Sequence, residues 1–209
     1  LFLKTFIKKY PKVNLKVEEL TTEEIIKKLN DGHIDIAIAA TPLEQATIKE
    51  QVLYYEPFVG FVPEEHRLFS NKILTPEDLE IEDLLLLEDG HCFKDSILNI
   101  CSARGNNSRS FELQSGSFDT FVKLSKEGMG MTLLPYLQTE DLSEADKTNL
   151  RKFENPTPAR EVSILYHKSQ LKLHLIDAIK TTIDGIIRGV IAFSDVEIIS
   201  PLKQKKEAV

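Results

Sequence analysis

Segments with helical periodicity alternate with short strand-like segments along most of this sequence. The helical pattern is longest at residues 171–188, where leucines and isoleucines recur on one stripe. Residues 34–40 form a short, nearly continuous apolar run, which is typical of a central strand covered on both faces. The alternation of these two kinds of segment predicts an α/β protein.

Four further segments give expectations that a structure can test. Residues 13–19 alternate apolar and polar side chains and predict a strand. Residues 21–24, Thr-Thr-Glu-Glu, predict a helix start with threonine at the cap and acids in the first turn. Residues 84–87 predict a short buried strand, and the polar, acidic residues 139–149 predict a loop.

Prolines at two points divide the chain into two predicted lobes. Two strand-like runs flank Glu56-Pro57, and because proline is disfavoured in mid-strand, the chain is expected to cross between lobes there. Pro156 and Pro158 mark a second crossover. The prediction is two α/β lobes and a charged tail: residues 1–55 with 160–200, residues 57–158, and residues 201–209.

The composition argues against several classes of protein. The 209 residues are 42% hydrophobic, which is enough for a core, and they contain no apolar run long enough to cross a membrane. The formal net charge of −7 argues against nucleic-acid binding by this segment, because such binding requires a basic face. The sequence starts without methionine and shows no signal-peptide cleavage site, so we expect a fragment of a longer, cytoplasmic protein.

Cys92 and Cys101 are the only cysteines, and their surroundings differ. Cys92 follows Gly90-His91 at the predicted start of a helix, where backbone N–H groups and neighbouring basic side chains favour a thiolate. Cys101 lies on a predicted apolar helical face, of the kind that packs on a core, together with Phe93, Ile97 and Ile100. The sequence therefore predicts one reactive thiol and one buried thiol.

The spacing of the two cysteines has a geometric consequence. Nine helical residues rise about 14 Å and rotate by about 900°, which places the two side chains on opposite faces. A disulfide requires Cα atoms within about 7 Å, so the pair cannot bond while such a helix is intact. Bond formation would unwind the segment and convert a local oxidation into a change of shape.

Plainer interpretations of these residues remain open at this point. Free cysteine is among the most buried residue types and behaves as a small hydrophobe, which fits Cys101 in particular. His91 fits an ordinary cap or hydrogen-bond donor, and two cysteines without histidines at ligand spacing do not indicate a metal site. The residues alone therefore allow both a thiol switch and two incidental cysteines.

Three motifs resemble the effector domains of LysR-type transcriptional regulators. Residues 29–38, Leu-Asn-Asp-Gly-His-Ile-Asp-Ile-Ala-Ile, and residues 128–135, Gly-Met-Gly-Met-Thr-Leu-Leu-Pro, are similar to segments general to that family. Residues 88–92, Glu-Asp-Gly-His-Cys, followed by Asp95 and Cys101, resemble the redox segment of its peroxide-sensing members. The resemblance covers most of the chain, although residues 190–209 match only loosely.

The resemblance implies a fold, a reaction and a set of site residues. The fold is two α/β subdomains similar to type 2 periplasmic binding proteins. Cys92 corresponds to the peroxidatic cysteine and Cys101 to the resolving cysteine. The implied peroxide pocket comprises Thr22, Gly90, His91, Asp95 and Arg160. Simpler roles for three of these are a helix cap for Thr22, a helix N-terminus for Asp95 and a solvated strand end for Arg160.

The resemblance also implies an activity, partners and a cellular setting. The implied activity is that of a hydrogen-peroxide sensor with a reversible Cys92–Cys101 disulfide, with no cofactor or metal, and without enzymatic turnover. The implied partners are hydrogen peroxide, further copies in a homodimer or tetramer, a cellular dithiol and, through the full-length protein, promoter DNA and RNA polymerase. The family's winged helix-turn-helix and first effector-domain strand would lie upstream of Leu1, so this segment is not expected to bind DNA itself.

Three alternatives and one contact surface complete the expectations. The alternatives are a LysR-type domain that binds a small organic ligand, a thiol peroxidase, and a solute-binding lipoprotein, the last disfavoured by the lack of an export signal. A candidate dimer contact is the helical stripe formed by Phe118, Phe121, Val122 and Ser125. For the apolar residues of this stripe, the alternative is that they face the core.

Overall fold

The structure is a computed structural model that describes residues 2–79, 83–85, 97, 117–191 and 196–201. The described helices are α1 (Phe2–Lys9), α2 (Thr22–Asn30), α3 (Phe118–Lys126), α4 (Tyr136–Thr139), α5 (Glu144–Lys147) and α6 (Leu173–Ile187), with a 3₁₀ turn at Pro76–Leu79. The described strands are β1 (Ala37–Thr41), β2 (Ile48–Phe61), β3 (Ile73–Leu74), β4 (Leu84–Leu85), β5 (Met131–Pro135), β6 (Leu150–Phe153), β7 (Thr157–His167) and β8 (Val196–Ile198).

The chain divides into two compact units, and the division falls inside two long strands. The first unit takes the described residues of 1–54 and 161–192, and the second takes those of 55–160 and 193–209. The chain therefore passes from one unit to the other within β2 and again within β7. β8 belongs to the second unit, where it pairs in parallel with residues 157–159 of β7.

The first unit is built on an amphipathic helix and an isoleucine-rich helix that share one core. β1 runs antiparallel to β7, with Ala37 opposite Leu165 and Thr41 opposite Glu161. α1 contributes Phe6, which is 1% exposed, and its ring lies 4.9 Å from that of Tyr10, measured between centroids. The buried members of this core are Phe6, Ile164, Tyr166, Ile176, Ile179 and Ile183.

Two expectations for the first unit are wrong. Residues 13–19 are not a strand; Val13 and Leu15 pack against the core from one side while Val17 is 64% exposed, so their alternation reflects one-sided burial. The strand predicted at 34–40 begins only at Ala37, and it is not covered on both faces. Ile38 in β1 is 43% exposed, and among the described residues β1 pairs with β7 alone.

The second unit is a small mixed sheet around an apolar core. β2 pairs antiparallel with β5 from Phe58 to Phe61, and β4 pairs in parallel with β5. All five residues of β5 are buried, as the apolar run in residues 131–135 favours. Buried residues from several strands and helices form the main cluster: Phe58, Val62, Leu68, Leu74, Leu79, Leu84, Ile97, Phe121, Met131, Leu133 and Phe153.

Two expectations for the second unit also need correction. β2 is continuous through Glu56-Pro57, where the sequence predicted a break. Pro57 lies just before the ladder with β5, which begins at Phe58, so its missing N–H removes no bond from that ladder. The polar residues 139–149 are not a plain loop, since they include α5, whose start is capped by the Ser143 hydroxyl accepting from the Asp146 N–H at 3.1 Å.

Candidate functional site

The strand that leads toward the cysteine segment is fixed to its neighbour by backbone and side-chain bonds. Leu84 lies opposite Met131 in the parallel pair, and the Thr132 hydroxyl donates to the Leu85 carbonyl at 3.0 Å. The Met131 N–H donates to the Asp83 carbonyl at 3.0 Å. Gly130, at φ +130°, allows this approach, because a Cβ there would collide with the Asp83 carbonyl oxygen.

Asp83 is held a second time by a buried histidine. His66 Nε2 lies 3.1 Å from Asp83 Oδ2, and the His66 side chain is only 4% exposed. His66 Nδ1 accepts a hydrogen bond from the Leu68 N–H at 3.1 Å, which places the ring proton of the neutral form on Nε2, directed at the carboxylate. The residue immediately before β4 is therefore fixed through both its carbonyl and its side chain.

Ile97 is the described residue of the predicted cysteine helix. It is in helical conformation and 0% exposed, within the apolar cluster of the second unit. The prediction that Ile97 faces a core is confirmed. Gly90, His91, Cys92, Asp95 and Cys101 lie outside the described residues, so their roles stay predictions.

Arg160 is part of a buried charge pair. Its Nε and Nη2 atoms lie 2.9 and 2.7 Å from Glu56 Oε2, and the side chain of Glu56 is 1% exposed whereas that of Arg160 is 22% exposed. The other carboxylate oxygen of Glu56 accepts the Leu137 N–H at 2.9 Å, at the start of α4. The interpretation of Arg160 as a solvated strand-end charge is therefore wrong.

Glu56 is the residue of this site that sequence reasoning missed. The sequence pattern marks Glu56 only as the neighbour of a strand-breaking proline. The available signal was an acidic residue within a strand-like run, because a charge buried in a sheet requires a partner. The partner, Arg160, lies 104 positions further along the chain, beyond the reach of any local pattern.

Thr22 is the first residue of α2, and the cap is its neighbour. Thr21 accepts the Glu24 N–H on its hydroxyl while the Glu24 carboxylate accepts the Thr21 N–H at 2.9 Å, which is a capping box. The Thr21 N–H and the Thr21 hydroxyl both donate to the Glu24 carboxylate, and these two bonds lower the pKa of Glu24. The prediction that Thr22 is the helix cap is wrong, because the N-cap is the preceding residue, Thr21. Thr22 is half-buried in the first unit, and its place in a peroxide pocket stays a prediction.

The candidate dimer stripe on α3 faces the interior of its own unit. Phe121 is 2% exposed, Val122 is 7% exposed and Ser125 is fully buried, so the core-facing alternative is the correct one. The Ser125 hydroxyl has no hydrogen-bond partner among the described residues. Within those residues no group of three or more His, Cys, Asp or Glu side chains is placed to hold a metal ion, and no helix is long and apolar enough to cross a membrane.

Comparison with known proteins gives one family. A curated relative, a probable hydrogen peroxide-inducible genes activator of Mycobacterium leprae, is 33% identical over 159 residues, which are 76% of this chain and 51% of that protein. The chain spans about half the length of this relative and of two similar curated relatives.

Two solved structures share the fold over nearly the whole chain. OxyR from Porphyromonas gingivalis superposes with a TM-score of 0.85 at 26% identity, covering 95% of this chain and 91% of that one. A hydrogen-peroxide-bound cysteine-to-serine mutant of OxyR from Corynebacterium glutamicum gives a TM-score of 0.80 at 26% identity, covering 90% and 60% of the two chains. The predicted α/β fold, similar to periplasmic binding proteins, is confirmed. Because the family described as LysR substrate binding domain matches residues 1–183, this chain belongs to that family.

Proposed function

We propose that this chain is the hydrogen-peroxide-sensing regulatory domain of a LysR-type transcriptional regulator, switched by a reversible Cys92–Cys101 disulfide. One observation carries the proposal: the Glu88-Asp89-Gly90-His91-Cys92 segment, with its partner Cys101, occurs in a chain whose structural neighbours are OxyR domains. One of those neighbours has bound hydrogen peroxide. Ile97, which lies between the two cysteines in the sequence, is buried in the core of the second unit.

The proposed reaction begins at Cys92 and consumes one molecule of peroxide. The thiolate attacks one peroxide oxygen, so that an S–O bond forms while the O–O bond breaks, and the departing hydroxide takes a proton to become water. Thr22, His91 and Asp95 hold the peroxide and supply that proton, with Gly90 and Arg160 completing the pocket. The sulfur of Cys92 is oxidised to a sulfenic acid as the peroxide is reduced.

The second step closes the disulfide. The Cys101 thiolate attacks the sulfenic sulfur, an S–S bond forms, the S–O bond breaks, and the hydroxide leaves as a second water. A cellular dithiol restores both thiols by exchange and is itself oxidised to a disulfide. Each cycle therefore turns over once per reductive reset, as expected of a stoichiometric sensor rather than an enzyme.

The proposed switch affects transcription only in the full-length protein. The curated relatives are named as transcriptional activators or regulators and are about twice as long as the matched region. We propose that the full-length protein acts in the cytoplasm as a homodimer or tetramer. There it would pass the change in its regulatory domain to promoter DNA and RNA polymerase through a winged helix-turn-helix domain.

A peroxide pulse on the reduced chain tests the proposal. We expect two free thiols before the pulse and none after it, with peptide mass spectrometry recovering a Cys92–Cys101 disulfide. Cys92→Ser should abolish the response, and Cys101→Ser should stop it at a sulfenic acid that a dimedone probe traps. Unchanged thiols after the pulse would leave a LysR-type domain that binds an organic ligand as the better assignment.

The same preparation separates a sensor from a thiol peroxidase. With excess dithiol present, the chain should consume peroxide only at the rate at which the disulfide is reset. A peroxidase would sustain consumption at rates far above single turnover. Sustained rapid consumption that requires Cys92 would replace the sensor assignment by an enzymatic one.

A further inference from the structure

The C-terminal segment at residues 196–201 belongs to the second unit, although the helix before it belongs to the first. α6 ends at Ile187, and the Ile191 N–H still donates to the Ile187 carbonyl at 2.9 Å. The first unit includes the described residues up to 191, and the second unit includes those from 196 onward. The chain therefore passes between the units a third time, after its two passages within β2 and β7.

β8 pairs with the last residues of β7 that belong to the second unit. Residues 157–159 of β7 lie opposite residues 196–198 in a parallel ladder, and the Ile199 N–H donates to the Ala159 carbonyl at 2.7 Å. Two residues beyond Ala159, Glu161 pairs with β1 of the first unit. The pairing of β7 therefore passes from β8 to β1 at the point where the chain crosses between the units.

An apolar side chain and a buried proline anchor this segment to the second unit. Ile199 is partly buried and packs against the main apolar cluster, and Pro201 is buried. The adjacent Ile198 is 40% exposed and Glu197 is also exposed, so one face of β8 contacts solvent. A short, half-exposed segment of this kind opens at a lower free energy than a fully buried strand such as β5.

We propose that residues 196–201 form a detachable strap that stiffens β7 where the chain crosses between the units. A hydrogen-bonded neighbour restricts the φ and ψ angles of the residues it pairs with, and hinge movements require changes in those angles at a few residues. The strap holds residues 157–159, immediately before the crossing, and its release removes that restraint. Opening of the strap therefore loosens the crossover without unfolding either unit. The proposal involves neither cysteine.

Hydrogen exchange of the full chain, followed by mass spectrometry of overlapping peptides, tests this role of the strap. Ile199→Ala removes most of the apolar anchor, and Ile199→Pro also removes the N–H that bonds to Ala159. The matched control is Ile198→Ala, which makes the same truncation at the neighbouring, exposed position of the same strand.

The expected result is a local rise in exchange around the crossing. Both Ile199 variants should raise the exchange rate of residues 157–161 by about tenfold or more, with the larger rise in Ile199→Pro. Exchange in β5 and α6 should stay unchanged, because the strap opens while both units remain folded. Ile198→Ala should leave every peptide unchanged.

Three results would overturn the proposal. An equal rise in β5 and at residues 157–161 would make Ile199 an ordinary core residue of the second unit. A rise confined to residues 157–159 would show that β8 covers an edge of β7 without affecting the crossing, and no rise in either variant would show that β8 does not restrain β7. If Ile199→Pro does not fold, Ile199→Val and Ile199→Ala give the same decision, since valine keeps more of the anchor and should give the smaller rise.

Discussion

The two units hold their carboxylates in opposite ways. In the first unit Glu18 lies at the surface with 30% of its side chain exposed, and it meets Lys28 at 2.7 Å while also pairing with Lys16. In the second unit Glu56 is 1% exposed and meets Arg160 at the same distance of 2.7 Å. The two N–O distances are equal, but the carboxylates differ greatly in exposure, at 30% for Glu18 and 1% for Glu56.

This difference shows that the length of an ion pair does not determine how much the pair contributes to stability. Water solvates an exposed carboxylate in the unpaired state almost as well as a lysine does, so surface pairs contribute little. A buried carboxylate has no such alternative, and removing its partner leaves an unsolvated charge in the core. We therefore expect the second unit to depend on Glu56 and Arg160 together, and the first unit to lose little stability when its surface pairs are removed.

The largest expected effect comes from breaking the buried pair. Glu56→Ala leaves Arg160 partly buried without its carboxylate, and leaves the Leu137 N–H without its acceptor. We expect the free energy of unfolding in urea to fall by roughly 3–5 kcal/mol. The matched control is Asp35→Ala, whose side chain is 55% exposed, with an expected loss of under about 1 kcal/mol.

This pair of measurements can contradict the comparison directly. Equal losses for Glu56→Ala and Asp35→Ala would mean that burial does not separate the two kinds of ion pair here. If the double variant Glu56→Ala with Arg160→Met regains the free energy of unfolding that Glu56→Ala loses, the loss comes from the buried guanidinium left without its carboxylate.

An intermediate effect is expected at the start of α2, where an exposed carboxylate bonds to backbone rather than to a lysine. Thr21→Ala removes the hydroxyl that accepts the Glu24 N–H and also bonds the Glu24 carboxylate at 3.0 Å. We expect a loss of about 1 kcal/mol in the free energy of unfolding, with Thr21→Ser restoring most of it. A Thr21→Ser variant as unstable as Thr21→Ala would show that the hydroxyl does not act as the cap.

Local sequence patterns predicted those parts of the molecule whose causes are local. The helix start at residues 21–24 and the core-facing Ile97 both follow from neighbouring side chains, and both are confirmed. The alternation at residues 13–19 failed because one-sided burial has the same period as a strand without requiring a hydrogen-bonded partner. The continuity of β2 through Pro57 depends on its pairing with β7 and β5, strands that lie far away in the sequence.

The candidate site was predicted unevenly for the same reason. Arg160 came from resemblance and not from any pattern around it, and its partner Glu56 lies 104 positions away. Asp83 contacts His66 through its carboxylate, and its carbonyl lies against Gly130 and accepts the Met131 N–H. These residues come together only in the folded sheet. Chemistry confined to one segment, such as that proposed for the cysteine motif, can be proposed from sequence, whereas a charge pair such as Glu56–Arg160 joins distant strands and is seen only in the fold.

The smallest expected effect is the acid sensitivity of the surface pair at Glu18. Hydrogen bonds from Lys16 and then Lys28, with the attraction of both charges, lower the pKa of Glu18 from 4.5 to about 2. A carboxylate with a lowered folded-state pKa stabilises the fold above pH 4.5, and this contribution is lost as the pH falls through about 2. The stability difference between the unaltered chain and Glu18→Gln should therefore be greatest above pH 4.5 and should shrink toward pH 2. Because the carboxylate is exposed, the difference should also shrink in about 1 M salt, where the Debye length is about 3 Å. A difference that grows on acidification, or that ignores salt, would show that Glu18 acts through packing rather than charge, and the contrast with Glu56 would then lose its electrostatic basis.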